Sequence, residues 1–147
     1  MPNLPRTINR LKDPRDLWLF LRILAALIIL PRKIKKKAFP DLLNDMNPGI
    51  SPDAGSPQNL NKTVGFVDTL LKYRFFQSYG KCLLRSLLLF RFLREQGWPV
   101  EIHFGVRRTG DGKNEITGHS WLVLSGKPFL ETESDEYSFV TTYSYPS

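Results

Sequence analysis

A chain of 147 residues, 41% hydrophobic and 24% charged, suits one folded domain with a core large enough to stand without staples. One cysteine excludes an internal disulfide, and one thiol with two histidines is too few for the usual zinc ligand sets. No metal or other cofactor is expected, and a reduced thiol fits a cytoplasmic protein.

The net charge of +7 is unevenly placed. Residues 1–40 hold ten Lys/Arg against two Asp/Glu, a net +8, and the remainder is close to neutral. Such a segment is either a solvated arm or an attractor for an acidic partner or phospholipid heads, so a membrane surface can be met through residues 1–40. No aromatics interleave with the basic run Arg32–Lys37, and no nucleic-acid motif is present, so nucleic acid is not an expected partner.

The first helix has a clear start. Asp13 can cap it, Pro14 suits the first helical position, and Asp16 complements the positive end of the macrodipole. Its Leu17–Leu30 stretch is almost wholly apolar, but fourteen residues of helix reach only about 21 Å, against about 30 Å of hydrocarbon. Pro31 is expected to end the helix by Leu30. A short helix follows around Phe39–Asp45.

The stretch "NPGISPDAGSPQNLN" (Asn47–Asn61) reads as a loop. It divides an N-terminal helical, basic segment (1–46) from the main domain (62–147). Helical spacing returns with Val64, Val67, Leu70, Leu71 and Phe75, and Gly80 breaks that helix. The next helix, about Lys81–Gln96, is so apolar that it should lie at the centre of the fold, with Gly97 as its left-handed terminator.

After Gly97 the period changes to two. "VEIHFGV" (Val100–Val106) places Val100, Ile102, Phe104 and Val106 on one face and Glu101 and His103 on the other. "TGHSWLVL" (Thr117–Leu124), "KPFLET" (Lys127–Thr132) and "YSFVTTY" (Tyr137–Tyr143) supply three further strands. Helices followed by antiparallel strands define an α+β domain.

Cys82 falls at the start of the central helix. Burial is the ordinary fate of a cysteine, but unpaired backbone N–H groups and the macrodipole at a helix start also stabilise thiolate. A thiol nucleophile needs a base, and the base an orienting acceptor. His119, within "GHSWL", is the candidate base. A three-residue hairpin loop at Leu124-Ser125-Gly126 would pair Val123 with Lys127, Trp121 with Phe129 and His119 with Glu131, so that Glu131 orients the imidazole. A two-residue Ser125-Gly126 turn would put Glu131 on the other face. Trp121 shares the face of His119 and either shields it from water or packs. His103 reads as a surface or secondary-packing residue, and Ser86 and Ser120 read as structural. Gln77 is a candidate side-chain donor to an oxyanion beside the backbone N–H of Cys82.

The segments "CLLRSLLLFRFLREQGWPVEIHFGVRR" and "GHSWLVLSGKPFLE" resemble the transglutaminase-like leader peptidases of lasso-peptide biosynthesis, the B proteins. The pattern is Cys-Leu-x-Arg-Ser/Ala, an apolar helix, Gly, a strand ending in Gly-Val-Arg, then His-Ala/Ser-Trp and an acidic residue on the next strand. The likeness covers roughly residues 62–142. It implies a papain/transglutaminase-like cysteine protease core, with a central Cys-bearing helix packed on an antiparallel sheet bearing the histidine and carboxylate. It implies a triad that maps to Cys82, His119 and Glu131, with Glu where the family usually has Asp.

The implied activity is removal of the leader from a ribosomally made precursor peptide, ahead of a separate lasso cyclase. Residues 1–60 leave no room for the family's leader-recognition domain, so a separate leader-recognition protein is the expected partner. The contrasting expectation is a non-enzymatic basic scaffold or membrane-surface binding protein in which Cys82 is merely buried.

Overall fold

The computed structural model describes residues 13–50, 52, 55–72, 81–108, 116–129 and 140–146. These form helices α1 (Pro14–Lys36), α2 (Phe39–Met46), α3 (Pro57–Leu71) and α4 (Lys81–Glu95), then strands β1 (Glu101–Arg108), β2 (Ile116–Leu124), β3 (Lys127–Phe129) and β4 (Val140–Tyr145). The strands make one antiparallel sheet in the order β3-β2-β1-β4. The protein is α+β, as its sequence order of helices then strands requires.

α1 starts as expected: the Asp13 carboxylate accepts from the Arg15 backbone N–H at 2.9 Å, and Pro14 opens the helix. It does not stop at Leu30. Pro31 lies buried inside the helix, which runs on to Lys36. An internal proline removes one helical hydrogen bond. Here the continuation is favoured by Ile34, which packs on the core, and by Lys33, Lys35 and Lys36 at the negative end of the macrodipole. α3 begins at Pro57, with Ser56 at the N-cap position, so the expected loop to Asn61 ends five residues earlier. Proline at N1 pre-sets the helical φ and lacks an N–H that would go unpaired there.

α4 ends as its sequence dictates. Gly97 has φ +99°, the Trp98 N–H donates to the Leu93 carbonyl at 2.9 Å, and that of Gly97 donates to Arg94 at 3.1 Å. This left-handed termination turns the chain back into β1.

One hydrophobic cluster joins every helix to the sheet. It contains Ile23, Leu27 and Leu30 of α1, Leu42, Leu43 and Met46 of α2, Phe66, Val67, Leu70 and Leu71 of α3, the Leu84–Leu93 run of α4, and Ile102 and Leu122 of the strands. Leu84, Leu87, Leu88, Leu89, Phe90 and Leu93 are fully buried, so α4 is the central helix its composition required. Ion pairs Arg22–Glu95 at 2.6 Å and Lys62–Asp16 at 3.1 Å tie α1 to α4 and α3. Lys37 pairs with Asp45.

Arg94 fastens the far end of α4. It is 7% exposed, donates from Nη1 to the Val100 carbonyl at 2.8 Å and from Nε to Asn47 Oδ1 at 3.0 Å, and lies 5.2 Å over the Phe90 ring. Burial pushes its guanidinium below the usual arginine range, an effect opposed by Tyr145 and Glu101.

The β2–β3 hairpin corrects the expected register. Leu124 pairs with Lys127, Val123 with Pro128 and Leu122 with Phe129, so the loop is the two-residue Ser125-Gly126. Both loop residues are left-handed, at φ +54° and +78°. That geometry matches the twist of the flanking strands better than a longer loop does. The three-residue loop that set Glu131 opposite His119 is therefore not formed.

Candidate active site

Cys82 stands on the first turn of α4, and it is exposed. The expectation of a buried, purely structural cysteine is overturned. Ser86, Leu89 and Leu93 on the same side of α4 are buried, so the exposure of Cys82 belongs to its place at the start of that side.

Ser86 follows Cys82 by four residues and so lies on the same side of α4, one turn along. Its hydroxyl donates to the Ser120 carbonyl at 3.2 Å, and the Ser120 hydroxyl donates to Ser86 Oγ at 3.3 Å. Both serines are buried. This pin fixes α4 on β2 at the residue next to His119. The serines are structural, as read from the sequence, but their place one turn from the thiol and one residue from the histidine gives them a part in building the site.

A second tie holds the same end of α4. Arg85 Nε donates to Asp68 Oδ1 at 2.7 Å, joining the Cys-bearing helix to α3. Asp68 was not singled out in the sequence. Its signal is its place on α3, on which α4 packs.

The two faces of the sheet are distinct. Phe104 pairs with Ser120 and Ile102 with Leu122 on the face covered by α4. Gly105 pairs with His119, His103 with Trp121 and Glu101 with Val123 on the other. The His119 and Trp121 rings stack with centroids 5.8 Å apart and planes 18° apart. Trp121 also meets His103 at 6.1 Å, and His103 Nε2 lies 3.1 Å from a Glu101 carboxylate oxygen. The expected sharing of a face by His119 and Trp121 holds, and His103 is half-buried off the core face as expected.

The structure thus brings the backbone of His119 to the pinned end of α4, while its ring rests on Trp121 on the opposite face of the sheet. Over Ile116–Trp121, β1 is the neighbour of β2 among the described residues; β3 pairs only from Leu122. His119 is half-buried, with its Nε2 shielded from solvent, and Gly105 lies across from it on β1. Gln77 and Glu131 lie outside the described residues. Among the described residues no group of three or more His, Cys, Asp or Glu could hold a metal, and no helix is long and apolar enough to cross a membrane.

A helix that starts at a cysteine and packs centrally on an antiparallel sheet carrying a histidine is the framework of papain-like thiol enzymes. The model of the transglutaminase-like superfamily matches residues 22–144, and the chain belongs to that superfamily. Members are often cysteine proteases or acyltransferases. No curated protein and no solved structure matches the chain.

Proposed function

We propose that the protein is a cysteine endopeptidase that removes the leader from a ribosomally synthesised lasso precursor peptide. The observation that carries the reading is the Ser86–Ser120 pin, which sets the exposed Cys82 turn of α4 against the strand bearing His119. Superfamily membership and the "CLLRS … GVRR … GHSW" likeness support it.

In this reading the Cys82 thiolate attacks the carbonyl carbon at the end of the leader and forms a C–S bond. The backbone N–H of Cys82, with Gln77, stabilises the oxyanion. Imidazolium His119, having taken the thiol proton, returns it to the departing amine as the C–N bond breaks. Water then hydrolyses the thioester. Glu131 orients the imidazole by the resemblance alone, because the hairpin register no longer argues for it. General base action needs His119 within about 3 Å of its proton donor, or one water away. The imidazole lies against Trp121 in the structure, so this reading requires the ring to leave that contact. The precursor peptide, a separate leader-recognition protein and the lasso cyclase are the partners this reading supplies.

The test is leader removal by the full chain, with its recognition partner, followed by mass spectrometry. Cys82→Ala should abolish the released leader, and His119→Ala should slow acylation at least a hundredfold with the fold retained. Leader removal by Cys82→Ala at the wild-type rate sinks the proposal. A product mass showing the acyl group on an added amine, in place of a free carboxylate, would make the protein an acyltransferase.

A further inference from the structure

The outer face of α1 is an apolar stripe that nothing among the described residues covers. Leu17, Trp18, Leu21, Ile28 and Ile29 are 43%, 66%, 47%, 51% and 48% exposed. They account for five of the eight large apolar side chains exposed among the described residues. With exposed Ala25 they recur at three- and four-residue intervals, which is one side of a helix. The opposite side, Ile23, Leu27 and Leu30, is in the core.

At 100° per residue the same stripe continues into Arg32, Lys35 and Lys36, all exposed. No Asp or Glu occurs between Leu17 and Lys37. The face therefore reads, along one line, as Trp18 and aliphatics followed by cations.

We infer that this face docks on an anionic lipid surface, with α1 lying in the plane of the membrane. The pattern supplies both signals that reversible membrane binding needs, apolar insertion and attraction to acidic headgroups. A second copy is a poor occupant: antiparallel pairing lays the cations of one helix on the apolar half of the other, and parallel pairing sets them against each other. A protein partner is poorly served by the area. The apolar stripe is about 18 Å long and about 10 Å wide, roughly 200 Å², against about 800 Å² per partner in a standard interface.

The experiment is flotation of the full chain with vesicles of phosphatidylcholine alone and of phosphatidylcholine mixed with phosphatidylserine. The wild type should float with the mixed vesicles and not with the neutral ones, and high salt should release it. Each of Lys35→Gln and Lys36→Gln should weaken partitioning by about fivefold. Trp18→Gln, a change at the most exposed of the five, should lower it further while circular dichroism stays unchanged. Wild type that fails to float, that floats equally on both vesicles, or that is matched by all three variants would overturn the inference. So would loss, in Trp18→Gln, of a complex with an acidic protein partner when the wild type does not float.

Discussion

Replacing Ser86 by Ala should cost more than replacing Ser86 and Ser120 together. In S86A the hydrogen bond to the Ser120 carbonyl is lost, and the Ser120 hydroxyl, 4% exposed, loses the acceptor it had at 3.3 Å. A net bond is worth about 1 kcal/mol, and a stranded buried hydroxyl adds roughly 1–2 kcal/mol, so S86A should lose about 2–3 kcal/mol. S120A leaves Ser86 still donating to the carbonyl and should lose about 1 kcal/mol. The double variant strands no hydroxyl and should also lose about 1 kcal/mol, so S120A made on the S86A background is stabilising. At roughly 2–4 °C per kcal/mol for a chain of this size, S86A should melt about 4–12 °C low and S86A/S120A only about 2–4 °C low. Thermal and urea denaturation of the four proteins complete the cycle. Additive losses, or a double variant weaker than S86A, would refute the pin as drawn.

The remaining predictions concern other joints of the fold. Ser125→Asn should stabilise the hairpin by about 0.5–1 kcal/mol in urea denaturation, because Asn tolerates φ +54° better than Ser in a two-residue turn before Gly. Gly55→Ala should destabilise by about 1–3 kcal/mol, read by melting temperature, because its Cβ would clash with Trp98 Nε1 and the rigid indole must shift. Arg94→Met keeps an apolar stem near Phe90 but removes charge-assisted bonds to Val100 and Asn47; a loss of about 3 kcal/mol is expected, with faster amide exchange at the start of β1.

Local rules settled much of the molecule from the sequence. The Asp13-Pro14 start of α1, the Gly97 turn and the change of period from 3.6 to 2 each depend on residues within a few positions of one another, and each stands in the structure. The apolar density of Leu83–Leu93 made α4 central for the same reason: a helix with little polar face has nowhere else to go. Pro31 and Pro57 were misread because local propensity does not see packing. Pro31 is carried through by the core contacts of Leu30 and Ile34, and Pro57 opens a helix whose buried face begins at Thr63.

The candidate site divides in the same way. Cys82, His119 and Trp121 were legible as residue types at a helix start and on a strand, and parity alone put His119 and Trp121 on one face. Which turn closes the β2–β3 hairpin was not legible, because "SG" serves two- and three-residue loops, and a shift of one residue exchanges the faces. Tertiary structure decided that register, left Cys82 exposed at the start of α4, and joined Ser86 to Ser120 across 34 positions of chain. It also decided which side of α1 the core would take. An apolar run hydrophobic all round does not say which side is left over, and only the packing of Ile23, Leu27 and Leu30 inward turned Trp18 and Ile28 toward solvent.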